Sequence, residues 1–175
     1  MRGISLVQTA ASVALLAVGV LATAGSMVSS SQSTRVTDEM ETARRAIAER
    51  VELLKAAPFK QVFAMFDAST ANDPVGVVSP GKYFVVTDLV PPAGVLPDRM
   101  GWVEFPTVEV GGVMQIHENL DLPQFGMPRD LTADGVVDAL DHSADYKLLP
   151  VSVHLVWKGV EGNSSLHTTL LLANR

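Results

Sequence analysis

Residues 4–28 read ISLVQTAASVALLAVGVLATAGSMV, twenty-five consecutive residues without an ionisable side chain. At 1.5 Å per residue a helix of that length covers roughly 37 Å, enough to cross a hydrocarbon core of about 30 Å with some tilt. Arg2 and the amino terminus precede the run, and Arg35 is the first cation after it. The short Arg-bearing side is expected to stay cytoplasmic while the rest is exported.

Past the serine-rich step at 29–33, apolar residues fall at Val36, Met40, Ala43, Ile47, Val51 and Leu54. Their spacing of four, three, four, four and three makes one helical stripe. Asp38, Glu39, Arg44, Glu49, Arg50, Glu52 and Lys55 fill the polar remainder, and Glu41 precedes Arg45 by four residues in the favourable order. Pro58 should stop the helix at or just before Ala57. The pattern predicts one helix over 4–57, roughly 80 Å long, with soft points at Gly19, Gly25 and the serines.

From Phe59 the helical period fades. A short helix is expected over 59–66, a loop over 68–80, and strands over 83–90, 102–105, 113–117, 151–157 and 166–172. Gly111-Gly112 reads as a turn. The last two strands alternate as Val151, Val153, Leu155, Trp157 against Leu166, Thr168, Leu170, Leu172, a hairpin with one buried face. Trp102 and Trp157 are expected in the core. His154 and His167 fall out of phase with the apolar set and should face solvent. The fold class is α+β: a long N-terminal helix, half transmembrane and half amphipathic, packed against a small antiparallel β-sheet head.

Three readings of the N-terminus compete. Ala22-Thr23-Ala24 fits a secretory cleavage site. A plain single-pass anchor requires nothing of Gly3. In the third, residues 1–3 are a leader removed after glycine.

The third rests on Arg2-Gly3-Ile4-Ser5-Leu6-Val7-Gln8 followed by a long Ala/Leu/Val helix. This resembles the cleavage region of type IV prepilins and type II secretion pseudopilins. The resemblance implies cleavage after Gly3 by a prepilin peptidase and N-methylation of Ile4. It divides the chain into a leader (1–3), a transmembrane half-helix (4–28), an extramembrane half-helix (29–57) and a β-rich head (58–175). It also implies a bacterial inner-membrane location, N-terminus cytoplasmic and head periplasmic or extracellular, with other pilin or pseudopilin subunits as partners through the helix. Gln8 stands where the family usually has glutamate, and it cannot supply that charge. A missing glutamate marks minor, tip-capping subunits, so Gln8 points to a minor pilin or pseudopilin. The plainer account of Gln8 is a tolerated polar residue.

A second motif lies at 130–141, DLTADGVVDALD. Oxygen-bearing Asp130, Thr132, Asp134, Asp138 and Asp141 occupy loop positions one, three, five, nine and twelve, with Gly135 at six and the Val136 carbonyl at seven. This spacing resembles the EF-hand loop in its dockerin form and implies calcium. Thr132 and Pro128 depart from the pattern. Val137 is expected to plug the loop into the core, and residues 138–141 to begin a helical turn. The alternative is an acidic surface turn without an ion.

The chain has 175 residues, no cysteine, and 13 basic against 19 acidic side chains for a net charge of −6. Disulfides, thiolate metal sites and cysteine nucleophiles are excluded, and a basic nucleic-acid surface is disfavoured. His117, His142, His154 and His167 form no HExxH-type pattern, and no nucleophile elbow or phosphate loop is present, so no catalytic residue is assigned. The expected function is a non-enzymatic minor pilin or pseudopilin with a calcium-stabilised head. The alternative is a secreted or single-pass anchored calcium-binding adhesion module.

Overall fold

The computed structural model describes residues 6–174. Gly3 and Ile4, the expected processing residues, lie outside the described residues. The chain divides into two compact units, Met1–Met40 and Glu41–Arg175. Helix α1 (Leu6–Ala56) supplies all described structure of the first and opens the second.

In the first unit every side chain described over 8–35 is exposed. The helix is long and apolar enough to cross a membrane by length and composition. The expected soft points do not interrupt it. Hydroxyls bond back onto the preceding turn instead: Ser12 to the Gln8 carbonyl at 2.9 Å, Thr23 to Gly19 at 3.0 Å, Thr34 to Ser30 at 3.0 Å. Such bonds satisfy polar groups without solvent.

In the second unit the expected stripe is the buried face of α1, with Ala43, Ile47 and Leu54 buried and Val51 half-buried. Arg50 departs from expectation. It belongs by period to the polar face, yet it is 5% exposed. Its guanidinium donates to the carbonyls of Pro80 and Gly81 and lies 4.8 Å from the Phe66 ring and 5.2 Å from that of Phe84. Burial lowers its pKa to about 10. The helix ends at Ala56, where Lys55 faces the negative end of the helix dipole and Pro58 bars continuation. A 3-10 turn, Phe59–Gln61, leads into α2 (Val62–Phe66), which inserts Val62, Phe63, Met65 and Phe66 into the core.

Six strands follow: β1 (Tyr83–Phe84), β2 (Gly101–Glu104), β3 (Thr107–Val110), β4 (Val113–Ile116), β5 (Leu148–Gly159) and β6 (Gly162–Ala173). An antiparallel sheet has the order β1-β2-β5-β6, and β3-β4 form a separate hairpin. The long helix against these small antiparallel sheets is an α+β layout. The Gly111-Gly112 turn is confirmed, with φ of 61° and 83° at its two residues.

The expected strand at 83–90 stops at Phe84, because the chain turns at Thr87 and Asp88 and the Leu89 N–H returns to the Val86 carbonyl. Strand β3, behind Pro106 and carrying Glu109, was not expected. The C-terminal hairpin has the expected face, pairing Val151 with Leu170, Val153 with Thr168 and Leu155 with Leu166. It is longer than expected, because Pro150 sits inside β5 beyond the last β2 pair, Glu104 with Ser152. There its missing N–H leaves no ladder bond unmade on the β2 side.

Leu149, Val151, Val153 and Leu155 are wholly buried and Trp157 is 1% exposed. Each contributes about 1.5–3 kcal/mol by leaving water, which makes β5 the centre of the core. Trp102 is not in the core as expected. Strand alternation sends it to the opposite face, half-buried and stacked on His154 with centroids 5.0 Å apart and planes 5° from parallel. His154 in turn stacks on the exposed His167 at 5.6 Å. His167 faces solvent as expected, whereas His154 is half-buried between the two rings.

Candidate functional site

The acidic loop lies between the Pro123–Phe125 turn and β5. Its aspartates organise their own backbone. Asp130 accepts the N–H groups of Asp134 at 3.3 Å and Gly135 at 2.8 Å and the Thr132 hydroxyl at 3.3 Å. Asp134 accepts Val136 N–H, Asp138 accepts Leu140 N–H, and Asp141 accepts Ser143 N–H. Gly135 has φ of 89°, the left-handed conformation its loop position requires. The Gly135 N–H above all holds the Asp130 carboxyl below its usual range.

Two local expectations are corrected. Val137 does not plug the core and is 46% exposed, whereas Leu131 is wholly buried. Residues 138–141 begin no helix, because the Asp138 carboxylate takes the Leu140 N–H and closes a side-chain turn instead.

Among the described residues, no three of Asp130, Asp134, Asp138 and Asp141 bring their oxygens within 4.8 Å of one another. The group that meets this distance is Glu118, Asp138 and His142. Only Asp138 belongs to the expected calcium set. Thr132 is buried against Glu118, and Val136 is exposed.

Glu118 follows β4 and is 1% exposed. Its Oε1 accepts the N–H of Leu131 at 2.6 Å and of Thr132 at 2.9 Å, while Oε2 lies 4.0 Å from His142 Nε2. His142 Nε2 is 3.0 Å from Asp138 Oδ1, and its Nδ1 is 3.0 Å from Asp145 Oδ1. The backbone locks these residues together. His142 N–H donates to the Ile116 carbonyl, Asn119 N–H to that of Asp138, and Arg129 N–H to that of Glu118.

Burial works against a charged imidazole at His142. The hydrogen bonds to Asp138 and Asp145 and the charge of Glu118 outweigh it, so the His142 pKa is raised. Asp138 is lowered, first by the Leu140 N–H and then by His142.

His142 and Glu118 were missed from sequence. For His142 a signal existed, since Asp138, His142 and Asp145 are spaced by four and three. Glu118 has none, because its approach to the loop is tertiary.

Compared with known proteins, the chain matches no family model, no curated protein and no solved structure.

Proposed function

We propose that this chain is a non-enzymatic minor pilin or pseudopilin, a structural subunit of a type IV pilus or type II secretion-like filament. The observation that carries the reading is α1: its residues 9–31 are apolar or hydroxyl-bearing and exposed, and its stretch from Ala43 to Leu54 is a core element of an α+β head. A helix of this kind suits storage in a bilayer and later packing against neighbouring helices of like chemistry.

In this proposal a prepilin peptidase cuts after Gly3 and Ile4 is methylated. The N-terminus is then cytoplasmic, the anchor lies in a bacterial inner membrane, and the head is exported. Gln8 in place of an acidic residue favours a minor subunit over a major one. An assembly ATPase on the cytoplasmic side performs the work, and this chain performs no chemistry.

The test is the mass of the N-terminal peptide of the mature protein from its native host. N-methylated Ile4 supports the proposal. A terminus at Gly25 replaces it with ordinary secretion of an interaction module, and an uncut Met1 replaces it with a plain anchor.

A further inference from the structure

Glu118 is an acid that the fold buries with no lysine or arginine paired to it among the described residues; the group facing it is the His142 imidazole, at 4.0 Å. Three carboxylates, those of Glu118, Asp138 and Asp145, surround one imidazole. Among the described residues, the lysine or arginine ion pair that forms is Lys55 with Glu52, on α1 and away from this group. Even with His142 protonated, the group holds two more negative charges than positive. Of the three carboxylates, Glu118 is the buried one, while the Asp138 and Asp145 side chains are 33% and 65% exposed, so the desolvation cost falls on Glu118 and a cation beside it offsets that cost.

The geometry is that of a ligand set. Glu118 Oε1 is committed to two backbone N–H groups, which fixes the carboxylate plane. Oε2 makes no hydrogen bond among the described residues and faces Nε2 of a histidine whose side chain is 7% exposed. Asp145 Oδ1 at 3.0 Å from Nδ1 fixes the ring so that Nε2 faces Glu118 and Asp138, and an ion bound there replaces the Nε2 proton. Two ligands about 2.1 Å from a tetrahedral ion lie about 3.4 Å apart. Here Nε2 is 3.0 Å from the Asp138 oxygen and 4.0 Å from the Glu118 oxygen, each about half an ångström from that spacing, and all three ligand atoms lie within 4.8 Å of one another.

We propose that Glu118 Oε2, an oxygen of Asp138 and Nε2 of His142 bind a divalent transition ion of the zinc type, with Asp145 as the positioning residue at Nδ1. The imidazole decides the ion class. Calcium takes oxygen ligands, whereas one nitrogen with two carboxylates suits zinc, cobalt or manganese. The ion ties the end of β4 to the loop 130–141 and to the segment entering β5. This site stands whether or not the chain is a filament subunit.

The test uses the full, untagged chain in detergent, stripped with chelator and titrated with Co²⁺ as the spectroscopic stand-in for zinc. The expected result is one Co²⁺ per chain with visible d–d bands, displaced by Zn²⁺. These bands vanish in His142→Gln and Glu118→Gln, persist in Asp130→Asn, and need about 10–100-fold more metal in Asp145→Asn. The wild-type spectrum and the Asp145→Asn titration decide the matter even where His142→Gln does not fold. Absence of the spectrum in the wild-type chain overturns the site, as does a spectrum unchanged in folded His142→Gln. A Ca²⁺-dependent rise in melting temperature that Asp130→Asn removes, without any cobalt spectrum, also overturns it and assigns the cation to the loop aspartates.

Discussion

The Tyr146 hydroxyl donates to the Phe59 carbonyl at 2.8 Å, joining the segment before β5 to the turn after α1. The same oxygen accepts the Phe63 N–H at 3.4 Å, and the Tyr146 ring meets Phe59 edge-on at 5.1 Å. Burial pushes the phenol pKa up to about 12, so it stays a donor at ordinary pH. Tyr146→Phe keeps the ring contact but removes the acceptor of the Phe63 N–H and one of two donors to the Phe59 carbonyl, which keeps the Val62 N–H. Chemical denaturation should show a loss of about 1–2 kcal/mol, and an unchanged midpoint would mean that these groups find water instead.

Arg50 holds the loop carbonyls of Pro80 and Gly81 from inside the core. Arg50→Ala removes the donor, the stem packing and the cation over two rings, and should cost about 3–5 kcal/mol. Arg50→Met restores the packing alone and should recover part of that loss. Equal stability of the two variants in a denaturant series would show that the apolar stem contributes nothing.

Gly101 pairs with Phe84 across β1 and β2, and a Cβ there would overlap the Phe84 ring. Gly101→Ala should cost about 1–3 kcal/mol by overpacking. Adding Phe84→Ala empties the space, so the double variant should lose less than the two single losses together. Strict additivity in the cycle would refute a direct clash.

His154 lies between Trp102 and His167, with Glu104 3.0 Å from its Nε2. Burial lowers its pKa below 6.5. Glu104 opposes this and the neighbouring His167 reinforces it. Between 6.5 and the lower folded value the unfolded chain binds more protons, so stability should fall as the solution is acidified through that window. His154→Phe keeps a stacking ring and should flatten this part of the curve. His142 titrates in the opposite sense and is common to both proteins, so the difference curve isolates His154.

Elements governed by local period were legible in the sequence. The stripe Ala43, Ile47, Leu54 and the alternation of β5 with β6 follow from side-chain direction alone. Arg50 was not legible, because its burial depends on Phe66, Phe84 and two carbonyls that arrive from elsewhere in the chain. Trp102 was misplaced because size argued for the core while strand phase, set by Val103 being wholly buried, sent its neighbour outward. The loop at 130–141 showed its turn chemistry plainly, including Gly135. What it shares with Glu118 could not be seen, since that contact exists only once β4 is folded.

The exposure of every described side chain over 8–35 has a consequence for how the molecule is handled by its surroundings. None of the head's buried residues comes from that stretch. In the proposed subunit, moving this stretch from lipid to neighbouring helices therefore withdraws no side chain from the head's core. Such a transfer exchanges one apolar surrounding for another, with the head's buried side chains left in place.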